Sequence, residues 1–451
     1  MSVGSAPVVL AVDQGTSSVK AALVDSRGRV RARSRTPTPV RRGPDGAVTG
    51  SPDEWWRAVT AAIGGVGDLS AVRAVAVTSF MHTLVPVLAG GGAGTALLPG
   101  DRRGVAREAS FGAAGTPGGR SALARLAAWA ERGEGRLRAA VPVKDYLRYR
   151  LTGVLASDPY DAGGAGLVTP AGESPPPAAA ALLDRLGAQP VPLLAPDAVA
   201  GTVTAAAAAE TGLRPGVPVV TGSGDWFVVC LGAQAAFPER GVLYAGTSAA
   251  YGGFAGAAAL AALRDVACLA VAVGSGAVLQ WAAGVFGQPS GTVTDLLALA
   301  SAAPADARGV RFVPRAPAAA RSREAVVGQG DLVGLSLSSD RADVARAVVD
   351  GLAAWIGARV GNVLIDRPVD QVLLCGGAAR PGFAGPLAAA LGRPLAVAAE
   401  RDLGLVGLAR LALAGAGEAV DHDPAHDSAV VEPDPVRGAV LAELRAELAR
   451  S

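Results

Sequence analysis

AVDQGTSSVKAALVDSRGRV, residues 11–30, is the stretch whose reading decides the fold. Val8 to Val12 is a short apolar run ending in Asp13, and Ser18 to Val24 is a second β-like run. The turn between them contains glycine, so the pair reads as a hairpin. Asp25-Ser26-Arg27-Gly28 is a second turn, and a third strand follows it. A turn built from Gly15, Thr16 and Ser17 points backbone N–H groups and hydroxyls into one concavity, which suits phosphate oxygens. Asp13 at the strand end has the chemistry to hold a hydrated Mg²⁺, an ion that takes few carboxylates and keeps several waters. Lys20 would add positive charge. Taken alone, the same residues fit an ordinary polar hairpin equally well.

The pattern returns in the second half of the chain. Gly241 to Ala245 reads as a strand, Gly246-Thr247-Ser248 repeats the earlier Gly-Thr-Ser triplet, and another β-like run follows. A long helical pattern then covers Arg341 to Ile365, and the strand Gln371–Cys375 leads into a Gly-Gly turn. A helix, the short strand Leu395–Val397 and a helix from Leu403 to Leu413 complete that half, before a final amphipathic helix from Val436 to Arg450. Strands alternating with helices define an α/β protein, and the repeated triplet suggests two similar lobes. The expected division is 1–238 and 239–451.

Composition narrows the class. The 451 residues are 50% hydrophobic and 18% charged, which excludes a disordered chain. A net charge of +2 gives no electrostatic footprint for nucleic acid. Three scattered cysteines form neither a disulfide framework nor a zinc cluster, and no signal peptide is read, so a cytoplasmic protein is expected. The uncharged stretch from Val266 to Thr294 is interrupted by Gly274-Ser275-Gly276 and carries Gln280, so it reads as a buried strand and buried helix rather than a membrane span. Nearly every basic residue is Arg. Lysine occurs only at Lys20 and Lys144, histidine only at His82, His422 and His426, and Met81 is the only internal methionine.

Within the first half, Ser51-Pro52-Asp53-Glu54 is a helix start, with Ser as N-cap and Glu three residues on. The buried strand Val72–Thr78 delivers Phe80, Met81 and His82 at its C-terminal end. Residues 90–119 read as loop and 168–200 as a Pro- and Ala-rich surface connection. Thr204 to Thr211 reads as helix with Gly212 as its C-cap. In VPVVTGSGD, residues 217–225, a strand and turn lead to Asp225 at the start of a helix. That carboxylate has two readings: it could accept a proton from a substrate hydroxyl, or it could be an N-cap. His82 could hydrogen-bond a hydroxyl or be a satisfied structural histidine. Gly376-Gly377-Ala378 after a buried strand would let a flat ligand such as adenine approach the backbone. Together, these Gly-containing turns after strands fit a nucleotide-binding protein.

In this order the segments resemble the FGGY carbohydrate kinases, and within them the xylulokinase branch, over nearly the whole chain. The resemblance is carried by residues 11–30, SPDEWW (51–56), FMHT (80–83), VKDYLRYRLTGVLASDPYDAGG (143–164), VPVVTGSGD (217–225), YAGTS (244–248) and LLCGGAARPGF (373–383). It implies a two-lobed, actin-like ATPase fold of ribonuclease-H-like domains. It implies ATP as phosphoryl donor, Mg²⁺ as metal, and a sugar or polyol acceptor, with D-xylulose going to D-xylulose 5-phosphate as the default. By the same resemblance Asp225 would be the general base and Asp13 would organise Mg²⁺. Gly15, Thr16, Ser17, Lys20, Gly246 and Thr247 would line the phosphates, and Gly376, Gly377 and Ala378 the adenosine. Met81, His82, Asp101 and Trp226 would lie in the sugar pocket. A homodimer is left open, and neither nucleic acid nor membrane is a partner.

The chain also departs from the family pattern. Phe80 stands where xylulokinases have Gln, Pro99-Gly100-Asp101 where they have Trp-Asn-Asp, and Trp226 where Asn or Gln is usual. The Gly-Glu-Arg-Thr-Pro loop has no match in RFVPRAPAAARSREA (residues 311–325), Cys375 replaces the first glycine of the adenosine motif, and the loop from Arg103 to Ala140 looks shortened. Phe80 and Trp226 replace amides that would pair with hydroxyls, so an acceptor with fewer hydroxyls is a second expectation. A non-catalytic ligand-binding homologue is a third.

Overall fold

The computed structural model describes residues 7–43, 46–111, 121–133, 135–169, 174–235, 237–246, 248–272, 274–286, 291–314, 330–400, 402–418 and 427–450. The chain forms two compact units, one of residues 1–232 and 404–423, the other of 233–403 and 424–451. The expected cut at 238 is therefore close to the first crossing, but a segment near the C-terminus returns to the first unit.

In the first unit the opening hairpin is β1 (Val8–Gln14) and β2 (Ser18–Asp25), paired antiparallel with Asp13 opposite Lys20. β3 (Val30–Pro37) pairs with β2 and closes the edge of the sheet. Its exposed positions Arg31, Arg33 and Arg35 alternate with half-buried ones, and a row of charges on an edge strand discourages pairing with another chain. α1 (Pro52–Gly64) starts as read: Ser51 accepts from the Glu54 N–H, and Trp55, Trp56, Val59 and Ile63 are buried. β4 (Val72–Ser79) lies parallel to β1, with Thr78 beside Asp13. α2 (Val143–Thr152) and the short α3 (Pro159–Gly164) follow. β5 (Val199–Thr202) and β6 (Pro218–Val220) complete the six-stranded sheet, in the order β5-β6-β4-β1-β2-β3. β6 runs parallel to β4, so β1, β4 and β6 open their C-terminal ends on one edge, and α4 (Asp225–Gln234) starts there.

Residues 168–200 are not a plain surface connection. Pro177–Leu186 is a helix whose Ala179, Leu182 and Leu183 are buried against Leu126 and Trp129 in a second, smaller core. Proline at the first turn and a run of alanines are good helix chemistry, which the Pro- and Ala-rich composition concealed.

The second unit repeats the arrangement. β7 (Gly241–Ala245), β8 (Ala249–Phe254) and β9 (Val266–Ala272) form an antiparallel meander. α5 (Ser275–Phe286) and α6 (Arg341–Asp366) precede β10 (Val372–Cys375), which lies parallel to β7. α7 (Pro381–Leu391) leads to β11 (Leu395–Ala398), parallel to β10. α8 (Leu403–Gly415) returns to the first unit, where Arg73 on β4 donates to Glu418 at 3.1 Å. β12 (Asp427–Val431) then pairs with β11, and α9 (Pro435–Arg450) ends the chain. The sheet order is β9-β8-β7-β10-β11-β12.

One further expectation is corrected in this unit. β9 is an edge strand, and α5 leaves Trp281 53% exposed, so residues 266–286 are not a buried pair. α6 is the helix, among those described, that is long and apolar enough to cross a membrane; 67% of its apolar window is buried, with Val348, Leu352 and Ile356 in the unit's core.

Candidate active site

The sheet edge of the first unit gathers three turns. After β1, Gly15 donates to the Ser18 carbonyl at 3.0 Å and holds Thr16 and Ser17 exposed at the tip, with Asp13 and Lys20 half-buried at its base. After β4, the Phe80 N–H donates to the Gln14 carbonyl at 3.0 Å, which ties this turn to the first. After β6, the Ser223 carbonyl accepts from the Thr78 hydroxyl at 2.6 Å, which fixes the loop that presents Asp225.

Met81 and His82 sit on this edge. Met81 fills the space left by two glycines: a Cβ on Gly224 would come within 2.6 Å of its sulfur, and one on Gly164 within 2.7 Å of its methyl. Its thioether therefore bridges the end of α3 to the residue before Asp225. His82 adopts a positive φ of 64°, and its ring Nδ1 lies 2.8 Å from the Gly164 carbonyl. A carbonyl only accepts, so Nδ1 carries the proton in this hydrogen bond, which fixes the ring at the end of α3. The Arg125 guanidinium binds the His82 carbonyl and secures this conformation.

Asp225 is half-buried at the first position of α4, and its Oδ1 accepts from the Trp226 N–H at 2.8 Å. Trp226 is buried, and so is Phe80, which lies edge-on to Trp55 with ring centroids 5.6 Å apart. Phe80 thus belongs to the core of the first unit, and the case for an acceptor poor in hydroxyls loses one of its two supports. Asp101 is fully buried and accepts from the Val48 N–H at 2.8 Å and from Arg103 Nε at 2.9 Å. Burial alone would raise this carboxyl, but Arg103 and the two backbone N–H groups outweigh it and hold it below the usual range. Its oxygens are engaged within the fold, joining the turn at 98–103 to Val48.

Sequence reasoning missed a buried ionic cluster beneath Met81 and Asp225. Lys144 Nζ lies 2.6 Å from Asp145 and 2.9 Å from Asp158, all three fully buried. Arg148 donates to Asp145 at 3.1 Å and Ser157 does so at 2.5 Å. Asp158 caps α3 and accepts from the Ser223 hydroxyl at 2.8 Å, so the cluster reaches the turn before Asp225 directly. Burial works against the Lys144 charge, but the carboxylates it touches, Asp145 and Asp158, outweigh burial and hold the ammonium above the ordinary lysine range. The available signal was Lys144 itself, one of two lysines, next to an aspartate.

In the second unit the two expected turns lie side by side. The Ala378 N–H donates to the Ala245 carbonyl at 2.9 Å, bringing Gly376–Ala378 against the turn at 245–248. Gly376 has φ 96°, and a Cβ there would meet the Ala245 oxygen at 2.7 Å, so only glycine fits. Gly246 donates to the Ser248 carbonyl at 3.0 Å; Thr247 lies outside the described residues. Cys375 ends β10 fully buried, and burial pushes its thiol up to about 12, so it is an inert packing residue. Residues 315–325 of the departing loop, together with His422 and His426, also lie outside the described residues.

Two units with matching six-stranded sheets and glycine-rich turns at equivalent strand ends define an actin-like ATPase fold. Residues 8–89 match the N-terminal domain, and residues 188–416 the C-terminal domain, of the FGGY family of carbohydrate kinases. The chain belongs to that family and is an ATP-dependent carbohydrate kinase. It is 27% identical to the xylulose kinase of Escherichia coli over 442 residues, covering 89% of each chain. It is 40% identical to an autoinducer-2 kinase of Enterobacter over 115 residues, 25% of this chain and 20% of that one. The crystal structure of xylulose kinase from Rhodospirillum rubrum is similar at a TM-score of 0.77 and 25% identity, covering 98% of both chains.

Proposed function

We propose that the acceptor is a ketose or polyol, with D-xylulose giving D-xylulose 5-phosphate as the leading case. The observation that carries this reading is the convergence of Met81, His82 and Asp225 on one sheet edge, bridged by the Met81 thioether between Gly164 and Gly224. Full-length similarity to xylulose kinases supports it. Asp225 takes the proton of the attacking hydroxyl as that oxygen forms its bond to the γ-phosphorus. The bond from the γ-phosphorus to the β-bridging oxygen breaks, and ADP leaves with the electron pair. His82, set by its bond to Gly164, lies where it can orient the acceptor. In the first unit Gly15, Thr16, Ser17 and Lys20 are the phosphate-binding residues; in the second unit Gly246 has the same role and Gly376, Gly377 and Ala378 take the adenosine.

The donor set fits Mg²⁺. Asp13 is a single half-buried carboxylate beside a turn that can receive phosphates, and the described residues contain no cluster of three metal-binding side chains. Mg²⁺ takes one or two carboxylates with phosphate oxygens and water, and when bound it neutralises phosphate charge. A cytoplasmic location fits Cys230, Cys268 and Cys375, which are thiols rather than disulfides.

The test is ADP release with Mg²⁺ and ATP across ketopentoses, ketohexoses, polyols and autoinducer-2, which the separate 115-residue match brings into the panel. D-xylulose is expected to give the highest kcat/KM. Release independent of every acceptor would overturn the proposal, and a clear preference for autoinducer-2 would replace its substrate.

A further inference from the structure

Asp161, on α3, is 1% exposed, and neither carboxyl oxygen has a hydrogen-bond partner among the described residues. It lies within the ionic cluster without belonging to its pairs. The charged groups that act on it are Lys144 and Asp145 from α2, Asp158 at the cap of its own helix, and Asp225 at the start of α4, while Arg148 of α2 is bound to Asp145. His82 is bound to the carbonyl of Gly164 at the end of the same helix. The two cations, Lys144 and Arg148, are already matched by the two carboxylates they touch, Asp145 and Asp158. A third buried charge would have no counterion, and an uncompensated buried carboxylate is far more costly than a neutral carboxyl.

α3 is also fastened to the catalytic turn at three points. Ser223 donates to Asp158 at 2.8 Å, the Tyr160 and Phe227 rings lie 5.4 Å apart, and Met81 packs against both Gly164 and Gly224. Two carboxyls held in one rigid assembly do not both ionise easily, and the buried one keeps the proton.

We infer that Asp161 is a positioning residue for Asp225: it stays protonated at neutral pH, so that Asp225 is the ionised member of the pair. The inference rests on the reading of Asp225 as the base. A base must be ionised to accept the hydroxyl proton, and a second negative charge beside it would raise the pH at which it becomes competent. During transfer the acceptor's proton goes to Asp225, while Asp161 keeps its own. Burial, reinforced by Asp158, Asp145 and Asp225 against the opposing pull of Lys144, pushes the Asp161 carboxyl well above the usual range.

The experiment is an infrared titration of the full-length protein. At pH 7 the wild type should show a protonated-carboxyl C=O stretch that is missing in Asp161→Asn. In Asp225→Asn, where the neighbouring charge is removed, the pH at which this band disappears should fall by half a unit or more. Absence of the band at pH 7, or a midpoint unmoved by Asp225→Asn, would overturn the inference. Thermal melting gives an independent reading, because the unfolded chain releases this proton near pH 4 while the folded chain holds it to higher pH. The wild type therefore loses stability relative to Asp161→Asn as pH rises above about 4. A melting difference that stays flat from pH 4 to pH 8 would contradict it. Turnover of Asp225→Asn tests the base assignment separately: if turnover persists while the band titrates as expected, the assignment of the base fails and the coupling of the two carboxyls stands.

Discussion

Removing the Lys144 ammonium would leave Asp145 and Asp158 as buried carboxylates without their shared cation, and Arg148 reaches only the first of them. Lys144→Met should therefore destabilise the protein by about 3–5 kcal/mol, read as a lowered urea midpoint. A loss below 1 kcal/mol would mean that the cluster is solvated. The residues of the turn between β1 and β2 were legible because their types are unusual together: a carboxylate, glycine and two hydroxyls between two apolar runs. The cluster was not legible, because ionisable residues from separate segments look like solvated surface until the fold brings them together. Phe80 shows the complementary difficulty. The sequence places an aromatic beside Met81, but only the backbone direction after Ser79 turns it onto Trp55 and into the core.

At the scale of the element, local chemistry identified those helices whose ends carry caps. Ser51 and Thr204 each accept from a backbone N–H in the first turn, and Gly212 closes its helix in the left-handed conformation. The helix Pro177–Leu186 ends on Gly187 in the left-handed conformation but has no side-chain N-cap, and its alanines hide the spacing of Ala179, Leu182 and Leu183. Leu182 is 1% exposed, so Leu182→Ala should cost about 2–5 kcal/mol in chemical denaturation. A change within about 0.5 kcal/mol would return this segment to the surface connection that its composition suggested.

At the scale of the whole molecule, the repeated Gly-Thr-Ser triplet marks a real structural repeat. Residues 15–17 lie between β1 and β2, and residues 246–248 between β7 and β8, the first two strands of sheets with matching neighbour relations. In each, a meander is joined through its first strand to two parallel strands and a final antiparallel one. The return of α8 to the first unit was not legible, because an apolar helix does not declare which sheet it covers. The central claim is that this carbohydrate kinase uses Asp225 as the base on its acceptor hydroxyl. It is tested most directly by following phosphoryl transfer from γ-labelled ATP to D-xylulose in wild type and Asp225→Asn, with ATP binding measured in parallel. The account predicts acceptor-dependent transfer in the wild type, a loss of about 10²–10⁴-fold in kcat for the variant, and nearly unchanged ATP affinity. Transfer by Asp225→Asn within a few-fold of wild type would contradict it.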